Sequence, residues 1–342
     1  MTFWARNLGI KSSGLAAATL AASLMTAASG HAQSADTLAL RLDWAPHGMH
    51  APIFLAVEKG WFKRANLNVT IEDGNGSVIT AQLVGAGQFD IGHASLSSVA
   101  IALSKGMPVI SVAGFIRKSD MGVLVPADSG WKTVKDLEGK KVAYTAGSLE
   151  GPFINPFFGA SKSKVDLINV DAANKIGTYM TGTADAVIST VPYVLPLVAS
   201  KRPATGIFFA DFGLDLPGFG LFASHPKLRE KGPAIKRFTS IVAGAWPYVF
   251  DGHQDEAVQA IVKNRPLLPL DPKVLRAQID LYKPFFHTEA TKDKPIGIQD
   301  AKDWASTIKA METAEVIKTG SKPTDYFTND YIDTAYFAQI SK

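Results

Sequence analysis

The chain has 342 residues, of which 46% are hydrophobic and 19% charged, and its formal net charge is +4. It contains no cysteine, which excludes disulfides, thiolate metal sites, cysteine nucleophiles and lipid attachment through an N-terminal cysteine. No cluster of Lys and Arg with interleaved aromatic residues occurs, and this argues against nucleic acid as a partner.

Residues 1–32 have the pattern of a cleaved secretory signal peptide. Arg6 and Lys11 form a positively charged start, an apolar run extends from Gly14 to Thr26, and Gly30-His31-Ala32 is a small-x-small cleavage site. A transmembrane anchor is the alternative, but the run is shorter than the roughly 20 residues that span a bilayer. The pattern therefore predicts export to the periplasm, and residues 33–342 suffice for two compact lobes.

The first part of the remaining chain alternates strands with helices. The predicted strands are 38–43, 67–71, 89–92 and 109–113, the last read as a buried parallel strand. The predicted helices follow Pro46 up to Gly60, cover Val78–Val84, and run from His93-Ala94-Ser95 to Gly106. This alternation with short loops predicts a doubly wound α/β lobe.

A second series of strands begins near Gly122, and the chain is mostly helical from Pro226. The predicted strands are 123–125, 142–144, 165–170 and 184–189, and the predicted helices are 233–251, 255–264, 272–283 and 299–313. Crossovers near Phe115–Met121 and Asp215–Phe219 would form a two-segment hinge. The predicted division is lobe one at 37–116 with 217–342 and lobe two at 117–216.

The segment from Leu42 to Val69 resembles the opening of bacterial solute-binding proteins of ABC importers. The branch concerned carries pyrimidine precursors, sulfonates, nitrate and aromatic acids, and its pattern is Trp-x-Pro-Asn-x-x-His, Glu-Lys-Gly-Tyr-Phe and Gly-Leu-x-Val. The matching residues here are Trp44-Ala45-Pro46-His47-Gly48-Met49-His50, Glu58-Lys59-Gly60-Trp61-Phe62 and Asn66-Leu67-Asn68-Val69, with His47 in place of the Asn. Weaker matches at 136–142 and 182–186 extend the resemblance over most of the chain. It implies the type II periplasmic binding protein fold, with two doubly wound α/β lobes.

In such a fold the ligand lies between the lobes, at the carboxyl ends of strands and at helix N-termini. Trp44 could stack on a flat ring, the histidines could hydrogen-bond, and Arg117 would suit an anion. A core position for Trp44, helix capping for Ser77 and a solvated turn for Arg117 are the alternatives. The predicted ligand-binding residues are Trp44, His47, His50, Asn75, Ser77, His93, Ser95, Arg117, Ser148, Glu150, Phe153, Tyr193, Asp211 and Phe219.

The predicted function is capture of a small solute by hinge closure and its delivery to an inner-membrane permease with a separate ATPase subunit. The protein is predicted to be a monomer. It is also predicted to have no catalytic residues and no cofactor, because serine-hydrolase, zinc-protease and phosphate-loop motifs do not occur. The aromatic first loop favours a planar heterocycle or aromatic acid, and alkylsulfonate and nitrate are alternatives within the class. From a different class, His47, His50 and His93 could form the zinc site of an enzyme. The absence of cysteine separates the chain from related fungal pyrimidine-synthesis enzymes, whose signature is a cysteine cluster.

Overall fold

The structure is a computed structural model that describes residues 34–342, and the predicted signal peptide lies outside the described residues. The strands in this range are β1 (Asp36–Arg41), β2 (Leu67–Glu72), β3 (Ile91–Ser95), β4 (Val109–Gly114), β5 (Met121–Pro126), β6 (Lys141–Tyr144), β7 (Asp166–Asn169), β8 (Ala186–Thr190), β9 (Ala204–Phe208) and β10 (Phe219–Ser224). The helices are α1 (Ala51–Glu58), α2 (Trp61–Arg64), α3 (Ser77–Gly85), α4 (Leu96–Ser104), α5 (Ile154–Phe158), α6 (Lys175–Met180), α7 (Val191–Val198), α8 (His225–Tyr248), α9 (Gln254–Asn264), α10 (Pro272–Tyr282), α11 (Ala301–Thr313) and α12 (Tyr336–Ile340). None of these helices has both the length and the apolar character needed to cross a membrane.

The strands form two five-stranded sheets with helices packed against them. The first sheet has the order β2-β1-β3-β10-β4 and the second the order β7-β6-β8-β5-β9. In the first sheet β10 runs antiparallel to both neighbours, and in the second sheet β5 does the same. The remaining pairs are parallel. Each sheet is therefore the core of one α/β lobe, and its antiparallel strand is the first strand after the chain has crossed from the other sheet.

The two crossing segments lie side by side. One connects β4 to β5 and the other leads from β9 to β10. The backbone N–H groups of Phe115 and Ile116 both donate to the carbonyl of Phe219, and the N–H of Gly218 donates to the carbonyl of Ile116. The predicted lobe boundaries at 116/117 and 216/217 fall within these segments and stay a prediction.

Two local predictions were wrong. His93-Ala94-Ser95 ends strand β3 instead of starting a helix, because Phe219–Phe222 of β10 pairs with this stretch and extends the strand. Among the strands of residues 34–342, β4 pairs with β10 in the antiparallel sense, so β4 is not the parallel strand of the sheet that was predicted, and its one parallel pairing is a single bridge from Ser111 to Phe327. Strand β4 is nevertheless fully buried, since the C-terminal segment covers its outer edge through Ser111.

Helix α1 fixes the loop that follows β1. Pro52 lies in its first turn, where a missing N–H costs nothing, and Gly60 then adopts φ +68°, which reverses the chain towards β2. Ile53 and Phe54 are buried, and the helix packs against α8 and α9. The loop at 42–50 is consequently held at the carboxyl end of β1, facing the other lobe.

Candidate functional site

The carboxylate of Asp43 is the centre of a buried polar cluster beyond the end of β1. Its Oδ1 accepts hydrogen bonds from Nε2 of His50 at 2.9 Å and Nδ1 of His93 at 2.7 Å. Nε2 of His47 lies 3.9 Å from its Oδ2. All four side chains are buried. Three imidazoles that are separated in the sequence thus converge on one carboxylate.

The loop backbone fixes the protonation of two of these rings. Nδ1 of His50 accepts the backbone N–H of His47 at 3.2 Å, and Nδ1 of His47 accepts that of Met49 at 3.4 Å. Each ring therefore carries its proton on Nε2, the atom that faces Asp43. Burial lowers the pKa of His50 to about 3, and burial also lowers the pKa of His47. Burial alone would raise the pKa of Asp43, but its interactions with the three histidines hold the pKa well below its usual value, so the carboxylate is ionised.

Trp44 extends from this cluster to the second lobe. Its indole Nε1–H donates to the hydroxyl of Tyr193 at 3.2 Å, and Nζ of Lys175 lies 5.0 Å from the centre of its ring. The indole is 8% exposed because both lobes cover it. Around it is an interlobe cavity of about 20 Å³, enough for one water molecule, lined among others by Trp44, His47, Ser148, Lys175, Tyr193 and Phe219. We call this the Trp44 cavity.

Lys175 enters the cavity with a buried partner. Its Nζ lies 2.7 Å from Oε1 of Glu150, and the side chains of the two residues are 1% and 0% exposed. The same Oε1 accepts the backbone N–H of Thr145 at 2.9 Å. Oε2 of Glu150 has no hydrogen-bond partner among residues 34–342. A buried cation thus lies at one wall of the cavity, against the face of the Trp44 ring.

Helix α10 connects the two lobes through side-chain hydrogen bonds. The amide of Gln278 accepts the backbone N–H of Gly48 at 2.9 Å and donates to the carbonyl of Tyr193, also at 2.9 Å. The hydroxyls of Tyr282 and Thr190 lie 2.8 Å apart. These bonds hold the Trp44 loop against the start of α7.

The loops after β2 and β6 also meet across the crevice. Gly76 has φ +147°, and a Cβ at this position would lie 2.2 Å from the carbonyl oxygen of Gly147. Only glycine allows this approach of the two backbones.

Asp120 precedes β5 and lines a second, tightly packed part of the crevice with Ser95, Ser97, Leu149, Thr190 and Phe219. The residue is 2% exposed, and its Oδ2 has no hydrogen-bond partner in the described part of the chain. Burial raises the pKa of Asp120 to about 7, and the negative charge of Asp43 adds to this effect.

The predicted site residues are distributed unevenly over this geometry. Trp44, His47, Ser148, Tyr193 and Phe219 line the Trp44 cavity, and Ser95 lines the part next to it. Behind them lie His50 and His93 on Asp43, Glu150 on Lys175, and Ser77, whose Oγ accepts the N–H of Ser95. Direct contact of these residues with a ligand stays a prediction.

Four predicted residues lie elsewhere. Asn75 and Asp211 are exposed, and Phe153 is fully buried in the hydrophobic core. The guanidinium of Arg117 donates to the carbonyls of Pro295 and Ile298 and lines a separate cavity with Asp303. Burial lowers the pKa of Arg117 to about 10. The structure gives these four no contact with the Trp44 cavity, and their part in binding stays a prediction.

Sequence reasoning missed Asp43, Lys175, Asp120, Gln278 and Tyr282. Lys175 and Asp120 carry no motif, and Gln278 and Tyr282 lie on a helix whose sequence reads as an ordinary amphipathic helix. Lys175 could have been suspected, since it is the first residue of a helix that follows a strand end in lobe two. The others become visible only once the two lobes are placed together.

The histidines were also candidates for zinc. Ligand atoms of Asp43, His50 and His93 lie within 4.8 Å of one another. Both ring nitrogens of His50 are engaged, however, one by the N–H of His47 and the other by Asp43. Nε2 of His93 has no partner among the described residues, but His93 already uses Nδ1 to contact Asp43. The donor set therefore fits a metal only if the loop at 43–50 rearranges.

Comparisons with known proteins agree with this architecture. A family model described as NMT1/THI5 like matches residues 47–257. The formylaminopyrimidine-binding protein of Halalkalibacterium halodurans is 22% identical over 315 residues, covering 90% of this chain and 94% of that protein. The 4-amino-5-hydroxymethyl-2-methylpyrimidine phosphate synthase THI5 of Saccharomyces cerevisiae is 38% identical over 113 residues, covering 32% of this chain and 33% of that protein.

Among solved structures, the periplasmic aliphatic sulphonate binding protein SsuA of Escherichia coli matches with a TM-score of 0.63. The two are 14% identical, and the match covers 86% of this chain and 92% of SsuA. This likeness shows the fold and confirms the predicted two-lobe α/β architecture of the periplasmic binding proteins.

Proposed function

The chain belongs to the NMT1/THI5-like family, and we propose that it is the periplasmic solute-binding component of an ABC importer. In this proposal the protein acts as a monomer, captures a small planar nitrogen heterocycle between its lobes, and delivers it to an inner-membrane permease driven by a separate ATPase subunit. Aromatic acids are the nearest alternative ligands, followed by alkylsulfonates and nitrate.

The observation that carries the proposal is the composition of the Trp44 cavity. Rings of Trp44, His47, Tyr193 and Phe219 surround it, and Lys175 supplies one buried charge. Aromatic walls favour a flat ligand, because ring stacking contributes about 0.5–1.5 kcal/mol beyond area burial. A small inorganic anion would gain little from these walls and would lie near the ionised Asp43. The name of the Halalkalibacterium relative supports the same ligand class.

The mechanism that fits this site is hinge closure. Wall residues come from both sheets, so a ligand completes its contacts only when the lobes meet. Binding therefore shifts the population of lobe arrangements towards the closed one. Small-angle X-ray scattering should show a smaller radius of gyration with saturating ligand than with ligand-stripped protein. An unchanged radius would contradict this mechanism.

The test of ligand class is a thermal-shift and calorimetric screen on refolded, ligand-stripped protein. The probes are 4-amino-5-hydroxymethyl-2-methylpyrimidine, benzoate, an alkylsulfonate such as MOPS, and nitrate. A ligand at 100 times its dissociation constant should add about 2.7 kcal/mol of stability. Binding of MOPS or nitrate with no effect of the pyrimidine would contradict the heterocycle proposal.

An enzyme is the second candidate, because the yeast relative is named a synthase and three histidines converge on Asp43. Long incubation with the pyrimidine probe, followed by mass spectrometry, separates the two functions. Recovery of unchanged ligand supports binding alone, and conversion of the ligand would overturn it. About one zinc per chain, lost in the His50→Ala and His93→Ala variants, would favour the metal-dependent enzyme.

A further inference from the structure

A separate cavity lies outside the crevice, against the two segments that cross between the lobes. Its outer part has a volume of about 370 Å³ and is lined by Arg117 and Asp215, one from each crossing segment. An inner part of about 30 Å³ adjoins it, because Arg117, Asp303 and Thr307 line both parts. We call the two parts together the hinge cavity. The outer part has room for a small molecule, and the inner part has room for one small polar group.

The inner part is bordered by buried side chains whose N–H donors have no acceptor. Arg117 and Gln299 line it and are 8% and 5% exposed. Nε and Nη1 of Arg117 and Nε2 of Gln299 have no hydrogen-bond partner among the described residues. Oε1 of Gln299 accepts from Ser111 at 2.8 Å and from Trp304 at 3.1 Å, which fixes the orientation of the amide. Buried donors are almost always paired, and an anionic group would supply the missing acceptors.

The charges of the hinge cavity differ between its two parts. Burial lowers the pKa of Arg117 only to about 10, so the guanidinium is a cation at neutral pH. Asp300 also lines the inner part, but its carboxylate already accepts from the ammonium group of Lys294. The outer part is lined by three carboxylates and one ammonium group, those of Asp215, Glu289, Asp303 and Lys302. The outer part therefore carries an excess of negative charge.

Asp303 is the carboxylate that lies between the two parts. Its two oxygens are 3.0 and 2.8 Å from the hydroxyl of Thr288, and no cation hydrogen-bonds to it within residues 34–342. Burial raises the pKa of Asp303, and the negative charges of Asp300 and Asp215 add to this rise. A cationic group in the outer part would offset this repulsion.

We propose that the hinge cavity binds a small zwitterion of the α-amino acid type, with its carboxylate towards Arg117 and Gln299 and its ammonium group towards Asp303 and Asp215. An α-amino acid carries both charges on one carbon atom, so it can satisfy the inner donors and the outer carboxylates together. A simple anion would leave the outer carboxylates without a cation, and a simple cation would leave the inner donors without an acceptor. This site is separate from the Trp44 cavity, and the proposal does not depend on the ligand of that cavity.

The test uses L-serine and two molecules that each lack one of its charged groups. Ethanolamine is serine without the carboxylate, and 3-hydroxypropionate is serine without the ammonium group. Dissociation constants are measured by calorimetric titration of the purified, ligand-stripped protein. Serine should bind at least tenfold more tightly than either relative, because each charged group makes its own charge-assisted hydrogen bonds.

Variants of the lining residues locate the site. Asp303→Asn keeps an oxygen for the Thr288 hydroxyl but loses the charge, so it should weaken serine at least tenfold and leave 3-hydroxypropionate unchanged. Arg117→Lys keeps a cation without the planar set of donors, so it should weaken both serine and 3-hydroxypropionate. Asp293→Asn is the matched control and should behave like the parent, because Asp293 is an exposed carboxylate that lines neither part.

The contrary outcomes are distinct. Absence of serine binding, or equal affinity for serine and a relative with one charge, overturns the proposal. Serine should also bind to protein saturated with the pyrimidine probe, and displacement of serine by that probe would place it in the crevice and overturn the proposal. Failure of the pyrimidine to bind contradicts only the proposed function, since the serine comparison does not use it. If Arg117→Lys does not fold, Asp303→Asn and the three ligands on the parent protein still decide the question.

Discussion

Replacing Lys175 with Met should destabilise the protein strongly, because it leaves the Glu150 carboxylate buried and unpaired. The pair is 2.7 Å apart with side chains that are 1% and 0% exposed, and within residues 34–342 the backbone N–H of Thr145 supplies the only other hydrogen bond to the carboxylate. Removing one partner of a buried ion pair costs about 3–5 kcal/mol. Urea denaturation of the parent and of Lys175→Met measures this loss directly.

A double variant separates the structural part of Lys175 from its part in binding. Lys175→Met with Glu150→Gln removes both charges, and the amide oxygen can still accept the N–H of Thr145. Its free energy of unfolding should return to within about 1 kcal/mol of the parent value. Affinity for the pyrimidine probe should remain ten- to a hundredfold weaker in both variants, since the charged wall of the cavity is lost. A double variant as unstable as the single one would refute the energetic reasoning, and parent-like affinity would show that Lys175 is only structural.

Four further results are expected. Trp44→Ala should weaken binding of the pyrimidine probe by about 2–3 kcal/mol, on the order of a hundredfold in the dissociation constant measured by calorimetric titration. A loss of about 3–5 kcal/mol in the free energy of unfolding with affinity intact would instead show that Trp44 is a core residue. Burial raises the pKa of Asp120 to about 7 when folded, so the folded state binds more protons than the unfolded state from about pH 4 to 7 and loses stability as pH rises. The free energy of unfolding of Asp120→Asn, measured by urea denaturation, should therefore rise relative to that of the parent by about 2–4 kcal/mol between pH 4 and pH 8. A stability difference that does not change with pH would contradict this. Burial lowers the pKa of His50 to about 3, and this has the opposite effect on the pH dependence of stability. Acidification below about pH 6.5 should destabilise the protein, because the unfolded state then binds more protons at this residue. His50→Gln should reduce the slope of the free energy of unfolding against pH in this range. Gly76→Ala should hinder closure, because its Cβ would lie 2.2 Å from the Gly147 carbonyl, and scattering with saturating probe should then show no compaction.

The two α/β lobes and one wall of the Trp44 cavity could be predicted from the sequence alone. Strand–helix alternation predicts two α/β series, and the Trp44 loop is singled out by its aromatic and imidazole content next to a strand end and by the resemblance of residues 44–50 to the solute-binding proteins. These features are local: each depends on residues within a few positions of one another. Helix α10 was likewise predicted almost to the residue, at 272–283 against Pro272–Tyr282.

The opposite wall could not be predicted, because it depends on pairing between distant segments. The helix predicted at His93 became a strand since β10, more than a hundred residues later in the chain, pairs with it. No motif in the sequence marks Asp43, although three histidines converge on it in the structure. Lys175 and Asp120 become candidates for the site only because they are buried in the crevice between the lobes. The residues next to them in the sequence do not predict this burial.

The bonds that join the lobes through Trp44 and Gln278 have a kinetic consequence. A solute cannot enter a cavity of about 20 Å³ while the indole is bonded to Tyr193 and the Gln278 amide spans Gly48 and Tyr193. Under the proposed hinge closure, the association rate would be the collision rate multiplied by the fraction of time that the lobes stand apart, which would place it below that of a rigid open pocket. The same lobe opening would control dissociation, so the residence time of the solute would depend on how often the lobes open as well as on the strength of its contacts.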